Sequence, residues 1–286
     1  MKRSLIFLFF SIIVQQAAAF EGDTLYNRLF PVMRWATVDA GTVKHLRIDT
    51  LDKAVIPQLS KLRQVESLSL SGHGLQQVPE VLCGLTTLKQ LDLSHNRLST
   101  LPQNFAQLTA LEELWLGYNP QLNMGQVIDV LALLPKLKAL HIEADSIKEI
   151  PPSIARLSQL QFLDLSGNSF SQLPPEFGQL TQLNTLWLNN EPASFDLEKN
   201  IPVLRPLANL REIHIEGDHL KQLPPQLFTL PALESVYAGE NPILRLPPRR
   251  DLRHSHLRLL DVHNAPLPPA EIQRVQQMSP GLRIRF

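Results

Sequence analysis

The chain has 286 residues, of which 44% are hydrophobic, and its 27 basic residues balance its 27 acidic residues. This balance disfavours a protein that binds nucleic acid through its phosphates, because such binding needs an excess of Lys and Arg on one face. The single cysteine, Cys83, excludes both an intramolecular disulfide and a zinc site built from several thiolates.

Residues 1–19 have the three parts of a secretory signal peptide. Lys2 and Arg3 form a basic start, the run Leu5–Val14 is apolar apart from one Ser, and small residues lead to a cleavage site after Ala19. Cleavage removes two basic residues, so 25 basic residues remain against 27 acidic ones, a net charge of −2. The apolar run is too short to span about 30 Å of hydrocarbon comfortably, which favours cleavage over a membrane anchor.

We therefore expect an exported protein, periplasmic or extracellular, with no membrane span in the mature chain. Exported eukaryotic domains usually form disulfides, whereas this mature chain has one Cys and no Asn-x-Ser/Thr sequon. Both features favour a bacterial exported protein.

One phrase recurs from residue 43 to residue 267. One copy reads Leu88-x-x-Leu91-x-Leu93-x-x-Asn96-x-Leu98-x-x-Leu101-Pro102-x-x-Phe105-x-x-Leu108. Ten copies, 22 to 27 residues apart, start at Val43, Val65, Leu88, Leu111, Leu137, Leu160, Leu183, Leu210, Leu233 and Leu257. A period of this length is typical of a solenoid, in which each copy stacks on the next.

Each copy predicts a short strand, a turn and a return. The fourth and sixth positions, such as Leu91 and Leu93, share one side of a strand, and Asn96 at the ninth position turns the chain through its side-chain amide. The apolar-Pro pair that follows cannot form a central strand, because Pro lacks an N–H, so it predicts an extended or short helical return. The copies whose ninth residue is neither Asn nor Asp are expected to have less regular turns, and they carry His73, Glu191 and Ala265.

The phrase resembles the leucine-rich repeat. Its LPxx(I/F)xxL return is similar to the subclass found in Ras-suppressor and scribble-type scaffolds and in effectors of plant-pathogenic bacteria. The resemblance implies an α/β solenoid, a curved horseshoe with a parallel β-sheet on its concave face and an irregular or short-helical convex side. The chemistry of any one member is not implied.

The remaining segments predict caps and helices. Residues 20–42 and 268–286 are expected to cap the two ends of the repeats, and the second of these caps to contain a helix and a last strand. Two copies are longer than the rest, and residues 124–134 and 194–207 within them are expected to form helices on the convex side.

The third, fifth and seventh positions of each copy point away from the core, onto the concave face. The fifth positions are Arg47, Ser69, Asp92, Trp115, His141, Asp164, Trp187, His214, Tyr237 and Asp261. Because adjacent strands lie about 4.8 Å apart, the stretch from Trp115 to Tyr237 predicts a strip about 25 Å long, aromatic along its centre and acidic at its edges.

We predict that this strip binds another protein, because Trp, Tyr and Phe dominate binding hot spots and are costly on a solvated sheet. The alternative is that the rings only stack on one another and stiffen the sheet. The predicted contact residues are Trp115, His141, Phe162, Asp164, Trp187, His214 and Tyr237, with Glu143 and Glu216 at the edges.

No catalytic residue, cofactor or metal site is predicted. His141 and Asp164 favour a surface ion pair, because no Ser or Cys nucleophile stands beside His141 in its column. The His-Ile-Glu triplets at His141 and His214 lie three strands apart, about 14 Å, too far for one metal ion. Cys83 replaces the Ala or Gly of other copies, so it is expected to be buried and unreactive.

Three functions stay open. The first is a non-enzymatic, exported module that binds another protein, and the second is an envelope-associated scaffold that holds a polysaccharide or other cell-surface polymer. The third is a secreted virulence effector that acts on host signalling. After residue 243 the chain has eight Arg against three acids, an excess that favours a solvated cap surface over an anion site.

Overall fold

The computed structural model describes residues 32–33, 39–48, 50–192, 194–248, 252, 255–278 and 281–286. The predicted signal peptide and most of the predicted N-terminal cap lie outside these residues. Within the described part the strands form one parallel sheet of twelve, in chain order. The strands are β1 (Val32–Met33), β2 (His45–Ile48), β3 (Ser67–Ser69), β4 (Gln90–Asp92), β5 (Glu113–Trp115), β6 (Ala139–His141), β7 (Phe162–Asp164), β8 (Thr185–Trp187), β9 (Glu212–His214), β10 (Ser235–Tyr237), β11 (Leu259–Asp261) and β12 (Arg283–Arg285).

The predicted curved solenoid is confirmed, with one short strand per copy. The fourth-position residues Leu91, Leu114, Leu140 and Leu163 are paired in register on successive strands, and each is 0% exposed. Burial of each such Leu side chain stabilises the folded state by about 1.5–3 kcal/mol. The core is therefore a column of stacked aliphatic side chains, mostly Leu, that follows the sheet from copy to copy.

The apolar-Pro pairs lead into short helical returns, as predicted. Five of these Pro residues, from Pro79 to Pro224, stand immediately before 3-10 helices, with φ between −57° and −71°. The 3-10 helices are Ile56–Lys61, Glu80–Gly84, Gln103–Gln107, Pro152–Arg156, Pro175–Gln179 and Pro225–Thr229.

Within the described residues, three α-helices lie where the sequence predicts them. They are α1 (Met124–Leu131), α2 (Leu197–Leu204) and α3 (Pro269–Met278). Asn123 and Asp196 cap α1 and α2 by accepting hydrogen bonds from the backbone N–H groups of Gln126 and Lys199. Among the described residues, no helix is both long and apolar enough to cross a membrane.

The turn asparagines form the predicted ladder of side-chain hydrogen bonds. Asn168 accepts from the N–H groups of Asp145 and Ile147, both at 3.1 Å, and donates to the carbonyl groups of Ile142 and Leu165 at 2.9 and 2.7 Å. Asn96, Asn119 and Asn241 bridge neighbouring copies in the same way.

The prediction of irregular turns is correct for His73 and wrong for Glu191 and Ala265. Left-handed residues directly follow His73, Asp145 and Asp218, and they are Gly74, Ser146 and His219. Glu191 and Ala265 are each followed by a Pro. The Pro ring fixes φ near −65°, so the residue after Glu191 or Ala265 cannot adopt the left-handed conformation. Asp in the turn position thus behaves differently from Asn.

Candidate functional site

The pairing register places all ten fifth-position residues in one column. Trp115 is opposite His141, His141 is opposite Asp164, Asp164 is opposite Trp187, and Trp187 is opposite His214. The column continues through Tyr237 to Asp261. The sequence-predicted strip is therefore a real feature of the concave face.

Aromatic and imidazole rings form a continuous row along the strip. Ring centroids are 4.8 Å apart for Trp115 and His141, and 4.7 Å apart for His141 and Phe162. Phe162 meets Trp187 edge-on at 5.6 Å, Trp187 lies 4.6 Å from His214, and His214 stacks on Tyr237 at 4.1 Å. Phe162 stands in the third column and joins the row because it lies between His141 and Trp187.

These rings are more buried than the sequence suggests. Trp115, His141, Phe162, Trp187 and His214 are 2 to 6% exposed. Strand spacing of about 4.8 Å nearly equals the distance at which rings stack, so neighbouring rings contact one another, face to face at Trp115–His141 and His214–Tyr237 and tilted or edge-on elsewhere. Among the other predicted contact residues, Asp164 is buried and the half-buried ones are Tyr237, Glu143 and Glu216.

Both histidines of the row are held by carboxylates. His141 Nε2 lies 3.2 Å from Glu113 Oε1, so its partner is Glu113 rather than the predicted Asp164, and the pair is buried rather than on the surface. His214 lies between Glu212 and Glu216, with N–O distances of 3.0 and 3.5 Å. Burial opposes protonation of His214, but its hydrogen bonds to Glu212 and Glu216 raise its pKa above the ordinary value.

Two further carboxyl groups lie beside the row. Burial raises the pKa of Asp164, and the charges of His141 and His214 offset this only in part. Burial, followed by the charge of Asp164, raises the pKa of Glu143 well above its usual range. Asp92, by contrast, accepts hydrogen bonds from Ser69 Oγ at 2.7 Å and from the Ser94 hydroxyl at 2.6 Å.

The strip is rich in acidic residues and has no Lys or Arg over its central strands. From β4 to β9 the third, fifth and seventh positions hold two His and no Lys or Arg. The acids at these positions are Asp92, Glu113, Glu143, Asp164, Glu212 and Glu216. Of these, Asp92, Glu113 and Glu212 were not among the predicted contact residues, and Glu113 and Glu212 each pair with a His of the row. Both stand at the third position of their copies, Glu113 two residues before Trp115 and Glu212 two residues before His214, and this place was the available signal.

Features outside the strip carry less chemistry. Cys83 is buried, as predicted, and burial raises the pKa of its thiol to about 11, so it stays protonated. At the Arg-rich end, Arg258 lies 3.4 Å from Glu234 and Arg285 lies 3.0 Å from Asp261, which reduces the free positive charge.

Two family models match the chain. One, described as a leucine-rich repeat region, matches residues 120–234, and the other, described as a leucine rich repeat, matches residues 63–120. Together they cover residues 63–234, more than half of the chain. No curated protein matches the sequence.

Several solved structures share the fold. A leucine-rich-repeat protein of Leptospira interrogans is 24% identical, with a TM-score of 0.57 over 86% of this chain, and the chain spans 66% of that protein's length. The leucine-rich-repeat domain of the type III effector XopL is 24% identical, with a TM-score of 0.61 over 82% of this chain and 80% of that domain. An internalin of Listeria monocytogenes is 20% identical, with a TM-score of 0.55 over 85% of this chain and 74% of its own. Identity at this level shows the fold alone.

Proposed function

Because the chain is a leucine-rich-repeat protein, we propose that it is a non-enzymatic, exported module that binds a basic region of another protein on its concave face. The structural neighbours include proteins of Leptospira interrogans and Listeria monocytogenes, which supports a bacterial source. The LPxx(I/F)xxL returns support membership of the subclass that they resemble. Repeat proteins generally use the concave surface for binding.

The continuous row of six rings carries this proposal. Each ring is fixed by its neighbours before a partner arrives, so little side-chain entropy is lost on binding. Trp187 Nε1 is buried and has no hydrogen-bond acceptor among the described residues. A partner carbonyl or carboxylate that reaches this N–H would satisfy it, which adds specificity to the apolar contact.

The charge of the face selects the class of partner. Six acids and no Lys or Arg at the concave positions of β4 to β9 attract a cationic segment and repel an anionic one. The half-buried Glu216 and Tyr237 keep surface available at one end of the row. A Lys- or Arg-containing segment is therefore the partner that complements this face.

Replacing Trp115 and Trp187 together with Ala is expected to abolish capture of the partner. Affinity capture with the purified mature protein, followed by mass spectrometry, identifies the partner. Titration then measures a loss of about 1,000-fold in affinity, since two hot-spot aromatics at about 2 kcal/mol each contribute about 4 kcal/mol. Circular dichroism establishes that the double variant is folded.

A matched control is Leu133→Ala, which removes an apolar side chain that is 52% exposed directly after α1. Its capture of the partner should equal that of the unsubstituted protein. Unchanged capture by the folded double Trp variant overturns the proposal. Binding of purified cell-wall polymer with no protein captured supports the envelope scaffold instead.

Export is tested separately. We expect the protein to be found in the periplasm or medium with Phe20 as its first residue, because residues 1–19 have the charge and hydropathy pattern of a signal peptide. Cell fractionation and N-terminal sequencing measure this. A cytosolic product that retains Met1 contradicts export without affecting the concave-face proposal.

A further inference from the structure

We propose that His141, Glu143 and Asp164 form a binding site for one divalent transition-metal ion, with Zn²⁺ as the best-matched cation. This site does not depend on the proposed partner. It also departs from the sequence-based prediction, which favoured no metal site over separate metals at the two His-Ile-Glu triplets.

The geometry of the sheet brings the three side chains together. His141 and Glu143 are two residues apart on the chain and point to the same face, and Asp164 is opposite His141 on the neighbouring strand β7. One donor atom from each residue lies within 4.8 Å of the other two. Donors that share a Zn²⁺ at about 2.0–2.2 Å lie about 3.3 Å from one another, so side-chain movements of about 1 Å close the site.

The imidazole of His141 has one nitrogen left for coordination. Glu113 Oε1 lies 3.2 Å from His141 Nε2, which leaves Nδ1 as the nitrogen available to a cation. A histidine that binds a metal usually donates its other N–H to a carboxylate, which fixes the tautomer and increases the basicity of the coordinating nitrogen. Glu113 is in the position to do this.

The Glu143 carboxylate is incompletely satisfied. Its Oε2 atom has less than 1 Å² of accessible surface and no hydrogen-bond partner among the described residues. Its carboxyl group lies directly over Gly117, where a Cβ atom would be 2.3 Å from Glu143 Cδ. Gly117, two residues after the end of β5, therefore leaves the space in which this carboxylate is buried.

The charges also favour a cation. Asp164 is buried and Glu143 is half-buried, and the donor atoms of these two carboxyl groups lie within 4.8 Å of each other. A divalent ion between the two carboxylates replaces repulsion by attraction. The donor set of one imidazole nitrogen and two carboxylate oxygens suits Zn²⁺ better than Mg²⁺, which prefers oxygen ligands and retains its waters.

The second His-Ile-Glu triplet provides an internal comparison. Both ring nitrogens of His214 are engaged by Glu212 and Glu216, and the residue opposite His214 on the next strand is Tyr237 instead of an acid. The same triplet thus lacks both a free nitrogen and a third ligand. The presence of Asp164 distinguishes the first triplet from the second.

Isothermal titration of the tag-free mature protein with ZnCl₂ tests the site. We expect one Zn²⁺ per chain, no comparable binding of Mg²⁺, and a loss of affinity of about 10-fold or more for both Glu143→Gln and Asp164→Asn. These amide variants keep the side-chain shape, and circular dichroism establishes that they are folded.

Glu216→Gln, the same change in the second triplet, is the matched control and should alter Zn²⁺ affinity by less than about 2-fold. The absence of stoichiometric Zn²⁺ binding by the unsubstituted protein overturns the proposal. So does equal weakening by Glu216→Gln and Glu143→Gln, since binding would then not be specific to this triad.

Discussion

Replacing Asn168 with Ala is expected to lower the free energy of unfolding by about 4 kcal/mol, because each buried polar group left without a partner costs about 1–3 kcal/mol. Asn168 is 4% exposed and satisfies two backbone N–H groups and two carbonyl groups on two successive copies. Urea denaturation followed by circular dichroism measures the change.

Asn104→Ala is a suitable control for this prediction. Asn104 lies in the 3-10 helix Gln103–Gln107, outside the ladder, so its replacement should change stability by less than about 0.5 kcal/mol. A loss below about 1 kcal/mol for Asn168→Ala would mean that water satisfies the freed backbone groups. In that case the ladder shapes the turns without stabilising them.

The same ladder explains why the fold is predictable from sequence. Leu91, Leu93 and Asn96 each solve a local problem, burial or turn formation, that every copy repeats, so the period alone indicates the architecture. Pro79 and Pro224 likewise determine where the returns begin. Each copy contacts mainly the copies before and after it in the chain, so the stacking can be inferred from the repeat itself.

The positions of the strip residues were predictable, but their environments were not. The alternation of each strand places Trp115 and His141 in one column, whereas the ring distances depend on side-chain rotations that no periodicity specifies. The pairing of His141 with Glu113 instead of Asp164 is a choice between two neighbouring strands. That choice decides which imidazole nitrogen remains for a ligand.

The acids at the turn position also have environments that the sequence does not predict. Asp145, Glu191 and Asp218 occupy the position that Asn fills elsewhere, and the sequence predicts Asn-like turns for the two Asp residues and a less regular turn for Glu191. Burial raises the pKa of these groups to about 8, 9 and 7 respectively. A carboxylate cannot donate to the carbonyl groups that an Asn amide satisfies, so only a protonated acid can imitate Asn there.

Glu191→Gln is therefore expected to stabilise the protein at alkaline pH. Glu191 is 2% exposed, and burial raises its pKa to about 9, with the charges of Asp218 and Asp164 adding to the shift and the Asn168 N–H offsetting it in part. In the unfolded chain the same group has its ordinary pKa of 4.5. Between pH 4.5 and 9 the folded state thus holds a proton that the unfolded state releases, and stability falls as the pH rises.

Removing this proton linkage should increase the free energy of unfolding by about 5 kcal/mol at pH 8 and by little at pH 4.5. Urea denaturation at a series of pH values measures both effects. The stability of the variant should still depend on pH, but less than that of the unsubstituted protein, because Asp145 and Asp218 remain. Glu198→Gln on the exposed face of α2 is the matched control and should leave the profile unchanged. If Glu191→Gln has the same pH dependence as the unsubstituted protein, Glu191 is ionised in the fold, and the turn must then hold a buried carboxylate at a cost that the rest of the solenoid offsets.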